Sequence, residues 1–140
     1  MAIHDHQVVL TSRLTIGSAT LTLEGQSATL THSVDLADDT VWGDTYKQRL
    51  VALMDYQLSF EALNDYTDNE LDEDLDALMG TNVATAYSPS SGAISVTNPE
   101  YQFTGAVSSL VKTYSLGQVA KVGGTVMLTT SAGVTRDVTP

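Results

Sequence analysis

Alternating apolar and polar residues run through most of the chain, which is the pattern of β-strands with one buried face. The alternation begins at Ser18, is interrupted by the turn-forming pair Gly25-Gln26, and resumes as far as Leu36, which predicts a hairpin. It is cleanest over residues 54–62, where every second side chain is apolar. This segment is the most strongly predicted strand of the protein.

The second half of the chain has the same character. Short strands are predicted over residues 93–97 and 134–138, and long Thr- and Val-rich strands over 100–114 and 119–130. Gly123-Gly124 interrupts the last long strand, which indicates a bulge or a close approach of another backbone. The long strands contain few of the lysines and prolines that protect exposed sheet edges, so self-assembly through these edges is a natural expectation.

One segment has the period of a helix instead. Its apolar residues recur at i, i+4, i+7 and i+8 and are Leu71, Leu75, Leu78 and Met79. Thr67 and Glu70 form a capping-box pattern before this stripe, and Gly80 follows it as a stop signal. We therefore predict a helix at about residues 68–79, and a mainly β fold: an antiparallel β-sandwich or barrel with one inserted α-helix.

Composition narrows the class of protein. A chain of 140 residues with 42% hydrophobic residues predicts a single domain over residues 1–140. The net charge of −11 argues against tight binding of nucleic acid phosphates, and the absence of cysteine excludes disulfides, thiol catalysis and zinc–thiolate sites. No segment has the length of a membrane span, and the start lacks a basic region followed by an apolar stretch, so we expect no Sec-type export and no membrane partner.

The common catalytic motifs are missing. The sequence contains no G-x-S-x-G elbow, P-loop, dinucleotide-binding glycine pattern or H-E-x-x-H. Ser109 and Lys112 match S-x-x-K, but that pairing requires a helix, whereas a strand places the two side chains on opposite faces. We predict no enzyme activity and no cofactor, although a pair of carboxylates acting in glycoside hydrolysis stays open as an alternative.

Histidines and acids are the remaining candidates for a metal site. His4 and His6 fall in a segment that we interpret as a mobile terminus, and His32 in a position typical of a core or interface histidine. Seven carboxylates lie between Asp65 and Asp76, without the glycine and ligand spacing of an EF-hand loop. They fit the solvated face of the predicted helix, so we predict no metal site.

Several stretches together resemble bacteriophage tail tube proteins. Residues 39–45, followed by residues 53–60, resemble the T-(F/W)-G-D … L-x-D-x-x-L-S pattern of that family. Residues 98–105, the turn at 114–120 and the end of the chain at 133–137 resemble its C-terminal strands. The likeness covers about residues 28–138 and leaves the N-terminal segment without a counterpart.

The resemblance implies a structural role. Six copies would form a ring, and stacked rings would form a tube through which double-stranded DNA passes without specific binding. The implied location is the virion tail, assembled in the host cytoplasm, and the implied partners are further copies, the tape measure, the tail tip and the terminator. Residues 1–15 would be an N-terminal arm, and residues 38–46 an inter-ring loop.

Two sets of residues become candidates for contacts through this resemblance. The ring-to-ring candidates are Asp39, Thr40, Trp42, Asp44 and Tyr46. The candidates in strands shared between subunits are Met54, Tyr56, Leu58, Phe60, Phe103, Val107, Val126 and Leu128. Trp42 would be the anchor of the loop, because a large aromatic side chain contributes strongly at an interface; the alternative is a Trp42 packed beneath its own loop.

Three other functions are compatible with the sequence. A capsid decoration or head–tail connector protein would form trimers or a single ring. A carbohydrate-binding β-sandwich would present exposed aromatic side chains on a flat face, and a hydrolase would use a pair of carboxylates. We favour the tail tube because its motifs extend over most of the chain.

Overall fold

The computed structural model describes residues 12–21, 25–64 and 71–139, which contain eight strands and one helix. In chain order they are β1 (Arg13–Ile16), β2 (Ala19–Thr20), β3 (Gly25–Asp38), β4 (Arg49–Leu63), α1 (Leu71–Leu78), β5 (Asn82–Ser88), β6 (Glu100–Thr113), β7 (Lys121–Leu128) and β8 (Thr135–Asp137). The predicted strands at 100–114, 119–130 and 134–138 are confirmed as β6, β7 and β8, the last two slightly shorter than predicted.

All eight strands belong to one antiparallel sheet. Its order is β2-β1-β5-β6-β7-β4-β3. The strand β8 lies on the same side of β6 as β7: it pairs with residues 100–102 of β6, and β7 pairs with residues 105–113. The sheet is open: β2 and β3 lie at its two ends and no ladder joins them. The mainly β prediction is therefore confirmed, and this subunit does not close into a barrel by itself.

One hydrophobic core contains side chains from strands in both halves of the sheet. Its fully buried side chains come from β1, β4, β6, β7 and α1 and include Ile16, Leu58, Val107, Val122, Val126 and Leu75. In β4 burial alternates from Tyr56 to Ala62, as the sequence predicts. One face of the sheet formed by β3, β4, β7 and β6 therefore covers the core, and no element among the described residues covers the other face.

Helix α1 packs against this core through Leu71 and Leu75, while Leu78 is half-buried. The helix ends as predicted before Gly80, whose φ of 72° lies in the left-handed region that terminates helices. The predicted first turn, with Thr67 and Glu70, lies outside the described residues.

Two predicted local structures are wrong. Gly25-Gln26 is not a hairpin turn, because β2 pairs with β1 and β3 pairs with β4. Residues 93–97 form no strand; one isolated bridge joins Ser95 and Asn98 within a loop. Of the predicted N-terminal arm, the structure describes only the part from Ser12, and Arg13–Ile16 pairs with β5.

The glycine pair in β7 marks a close backbone approach. A Cβ atom on Gly124 would lie 2.6 Å from the carbonyl oxygen of Ser109 and 3.0 Å from the ring of Phe60. The register shift is in the partner strand β6, between Val107 and Ser109. The predicted approach is confirmed, and glycine is required there because a side chain would collide with backbone.

Candidate assembly surfaces

The β3–β4 hairpin extends far beyond the rest of the sheet. Pairing between β4 and β7 begins only at Gln57, so the part of the hairpin from residue 33 to residue 55 (the arm) is a two-stranded ribbon. The ladder from Ser33 to Asp38 spans about 20 Å at the usual rise of a strand. A two-stranded ribbon of this kind is marginally stable without a partner.

The arm is apolar on both faces. Residues 50–54 are Leu, Val, Ala, Leu and Met, a continuous run that is typical of strands buried on both sides, yet each is exposed in the subunit. More than half of the large exposed apolar side chains in the described residues lie on the arm, and Leu53 is 81% exposed. Of this run only Met54 was predicted as a contact residue; the lack of alternation at 50–54 was the signal for the others. Patches of this size mark interaction surfaces.

The loop at the tip of the arm is held in a defined shape by its own polar groups. The carboxylate of Asp44 accepts the backbone N–H of Val41 at 2.8 Å, and Thr40 Oγ1 accepts the N–H of Gln48 at 2.9 Å. Asp38 accepts the N–H of Thr40 at 2.9 Å, and the hydroxyl and backbone of Thr40 lower the pKa of Asp38. Thr40 and Asp44, two of the predicted contact residues, therefore shape the loop.

Trp42 and Tyr46 are presented by this loop to solvent. Trp42 is fully exposed (105%), so it is not packed beneath its own loop, and the side chain of Tyr46 is also exposed. Asp39, the fifth predicted contact residue, donates its N–H to the carbonyl oxygen of Gln48 at 2.9 Å. The structure brings all five predicted residues together at one end of the sheet; contact with a second copy stays a prediction.

The predicted shared-sheet residues lie mostly inside the subunit. Tyr56, Leu58, Phe60, Phe103, Val107 and Val126 are buried in the subunit's own core, Leu128 is half-buried, and Met54 lies exposed on the arm. Their side chains hold the sheet in place from within. Any sharing of a sheet with a neighbour therefore acts through the backbone edges of the outer strands β3 and β6, because β7 is paired on both sides.

In the described part of the chain, the two outer strands of the four-stranded unit β6-β7-β4-β3 each have a free edge; β2, β8 and residues 49–56 of β4 are also paired on one side only. β3 pairs only with β4, which leaves its outer edge free. β6 pairs with β5 only as far as Ala106, so residues 108–113 have a strand on the β7 side alone. The four strands β6-β7-β4-β3 alternate in direction, and the two free edges therefore run in opposite directions.

The uncovered face of these four strands is mostly polar, with Val111 and Met127 as exposed apolar side chains, and carries few charges. Its side chains along the cross-strand register include Thr29, Thr31, Gln57, Ser59, Ser109 and Thr125. The charged groups on it are Asp55 and the pair Glu61–Lys121, whose side chains are 3.5 Å apart. Most of the chain's negative charge lies elsewhere, in part on α1, which has Asp72, Glu73, Asp74 and Asp76.

An ion-pair cluster fastens α1 to the opposite face of the sheet. Lys112 Nζ of β6 lies 2.8 Å from Asp72 Oδ1 and 2.9 Å from Asp76 Oδ2. The hydrogen bonds to Asp72 and Asp76 raise the pKa of Lys112. Hydrogen bonds from Lys112 and then from Asn64 lower the pKa of Asp72. Ser109 points to the other face from Lys112, as the strand pattern predicts.

His32 lies at the base of the arm on the same face as Leu30 and Val34, and it is exposed rather than buried in the core. Its ring meets that of Tyr56 edge-on with centroids 5.5 Å apart. Burial raises the pKa of Tyr56. The predicted histidine pair His4 and His6 lies outside the described residues.

The concave surfaces offer little for chemistry. One open groove, between β1, β5, β6 and the loop after β7, has Glu100 as its single titratable lining residue. Arg13 Nη2 binds that carboxylate at 2.9 Å, and Gln102 also donates to it. Within residues 12–21, 25–64 and 71–139, no three His, Asp or Glu side chains are grouped to hold a metal ion. In the same residues no helix has the length and apolar character needed to cross a bilayer.

Three solved structures share this architecture. A chain in the virion of a native gene transfer agent particle matches with a TM-score of 0.74 and 11% identity, over 95% of this chain and 100% of that one. A chain in the C6-symmetric tail of an empty gene transfer agent particle matches at 0.68 and 11%, over 96% and 100%. The cap that terminates the anti-feeding prophage tube matches at 0.69 and 12%, over 99% and 95%.

The chain has the fold of these tail and tube components. No sequence family model matches it, and no curated protein matches it in sequence. The resemblance to tail tube proteins is thus confirmed at the level of fold. The arm and the free edges belong to a fold that occurs in multi-subunit particles.

The exposure of Trp42 predicts how its removal affects the isolated subunit. In dilute, unassembled protein, Trp42→Ala should change the free energy of unfolding by no more than about 0.5 kcal/mol, because the side chain is fully exposed. Leu58→Ala, which empties a fully buried site, should cost about 2–5 kcal/mol. Urea denaturation measures both. A loss above about 1 kcal/mol for Trp42→Ala would show that Trp42 packs on its own domain.

The ion-pair cluster predicts a pH dependence of stability. Because the folded pKa of Asp72 lies below its unfolded value, its contribution is present above about pH 4 and is lost as the pH falls through the folded pKa. Lys112→Met should therefore lower stability near neutral pH and flatten its decline on the acid side. Lys47→Met, a substitution on the arm, is the matched control and should leave the wild-type slope. Identical pH profiles for wild type and Lys112→Met would contradict this assignment.

Proposed function

We propose that this protein is the structural subunit of a phage-type tail tube, in which six copies form a ring and stacked rings form a conduit for genome ejection. The observation that carries the proposal is the pair of free edges on β3 and on residues 108–113 of β6. Exposed edges are avoided in monomeric proteins because they template pairing with another chain. Here they face opposite sides of one four-stranded unit.

The direction of these edges suits a ring. Copies related by rotation about an axis roughly along the strands stand in the same orientation, so β3 of one copy meets β6 of the next in the antiparallel sense. Antiparallel alternation then continues around the ring without a break. The gene transfer agent tail with this fold has C6 symmetry. Four strands from each of six copies give 24, and barrels of such size enclose a wide lumen.

The difference between the two faces of the four-stranded unit indicates which face lines the bore of the proposed ring and which lies outside. One face carries the core, α1 and the remaining strands, so the uncovered face with Thr31, Ser59 and Thr125 lines the bore. A lining with few positive charges offers little to hold DNA phosphates, which favours passage over binding. The acids of α1 lie on the outer side, where they contribute to the repulsion between assembled tubes in solution.

The arm supplies the stacking contact between rings. Its two-sided apolar surface requires burial on both faces, which neighbouring copies in the same and the next ring provide. Trp42 and Tyr46 are the anchors at its tip. In the particle the proposed partners are further copies of the chain, the tape measure, the tail tip and the terminator.

A second candidate has support from one observation. The cap of the anti-feeding prophage tube has the same fold, so this fold also occurs in a component that terminates a tube. A protein of that kind forms one ring and does not polymerise. The length of the assembled particle separates the two candidates.

Electron microscopy of the concentrated protein tests the proposal. We expect six-fold rings that stack into hollow tubes. Thr29→Lys with Thr31→Lys places charge along the β3 edge and should abolish rings while leaving the fold intact, because edge lysines oppose strand pairing. The control, Ala77→Lys with Thr97→Lys, adds the same charge at exposed positions away from β3 and should still assemble.

The possible outcomes of this experiment separate the tube subunit from the terminating cap and test the role of the β3 edge. Monomers at every concentration and salt condition would contradict the proposal. Single six-fold rings that never stack would favour the terminating cap. Normal rings from the β3 lysine variant would show that this edge is not the subunit contact.

A further inference from the structure

A second exposed apolar surface lies at the turn between β6 and β7. Within residues 114–120 (the β6–β7 turn), Leu116 is fully exposed (106%) and Val119 is 62% exposed. Gly117, with a φ of 78°, and the hydrogen bond from the N–H of Gln118 to the carbonyl oxygen of Ser115 at 3.1 Å fix the shape of the turn. The side chain of Leu116 is therefore exposed on a turn of fixed shape.

This turn and the arm lie at opposite ends of the same sheet. Lys121, at the start of β7, pairs with Leu63 at the last residue of β4, and also with Thr113 at the end of β6. The tip of the arm leads into the first residue of β4, Arg49. The 15 residues of β4 separate the two ends by about 50 Å.

Two different apolar surfaces at opposite ends satisfy the requirement of a head-to-tail stack. In such a stack each copy presents one surface upward and a different one downward, whereas a two-fold contact would use the same surface twice. Residues 114–120 contain no charged side chain, so covering them removes no ion from water. The tip brings the large, exposed Trp42 and Tyr46.

We propose that the β6–β7 turn is the docking surface for the arm tip of a copy in the next ring, with Trp42 and Tyr46 covering Leu116 and Val119. This inference rests on the proposed tube function and names the surface that receives the arm. In this proposal one contact repeats along the tube: the arm tip at one end of β4 in one copy meets the β6–β7 turn at the other end of β4 in a copy of the next ring. It also gives the β6–β7 turn a role that the fold of the subunit does not require.

Crosslinking in the cysteine-free chain tests the contact. The double variant Val41→Cys/Leu116→Cys places one thiol on the arm tip and one on the turn. Treatment of assembled tubes with a short bis-maleimide should convert the monomer band on a denaturing gel into a ladder of trimers and higher species, because each head-to-tail link adds one copy. The control Val41→Cys/Met127→Cys moves the second thiol to the middle of the polar face and should give no ladder.

Two results would overturn the inference while the tube function stands. One is tubes by microscopy with no ladder from Val41→Cys/Leu116→Cys. The other is a crosslinked dimer from Val41→Cys alone, which would mean that the tips meet each other. Failure of the wild-type protein to form any ring or tube would instead refute the proposed function, and this inference with it.

A second variant gives an independent readout. Leu116→Asp should retain six-fold rings and lose stacking, since it places a charge in the apolar contact. Trp42 is the only tryptophan, so its fluorescence reports the tip directly. Emission should shift to shorter wavelength when wild-type rings stack and stay at the solvent-exposed position in Leu116→Asp. Stacking by Leu116→Asp to wild-type length would contradict the contact.

Discussion

The backbone edge of β3 is the constraint on which the rest of this structure depends. Along the 14 residues of β3, those that point away from β4 present N–H and C=O groups that no strand in the described part of the chain pairs. Such a row of groups is satisfied by water in a monomer or by another strand in an assembly. The long edge, without lysine or proline, favours the second outcome. In the proposed ring, the free edge at residues 108–113 of β6 in the next copy would be a partner of suitable direction.

The subunit core serves to hold this edge in place. Leu58, Phe60, Val122 and Val126 anchor the four-stranded unit from one face, and the Lys112 cluster fixes α1 over the same side. The other face is therefore left uncovered, with Ser and Thr side chains and few charges. Stability and assembly are thus separated: buried side chains maintain the fold, while backbone edges and the exposed arm are available to other copies. Loss of Trp42 and loss of Leu58 consequently affect different properties of the protein.

The elements that depend on local periodicity were predictable from the sequence. The alternation of β4 from Tyr56 to Ala62 and the stripe of α1 both follow from burial against one core. The hairpin at Gly25 was mispredicted because β2 turns back onto β1, the strand before it, and β3 pairs with β4, the strand after it, so the two segments do not pair with each other. Residues 93–97 are not a strand because the side chain of Asn98 donates to the carbonyl oxygens of Ser90, Gly92 and Ala93, which competes with strand pairing. The apolar run at 50–54 pairs with β3 through its backbone but leaves its side chains exposed, so no packing within the subunit accounts for it.

Hydrogen exchange along β3 tests the central claim most directly. In the dilute subunit the outward-pointing amides of β3, and those of residues 108–113 in β6, should exchange quickly, while the amides of β7 and of residues 57–63 in β4 are protected by pairing on both sides. On assembly the account predicts that both edges become as protected as β4. Unchanged exchange at β3 in assembled particles, or full protection of β3 in the isolated monomer, would contradict it.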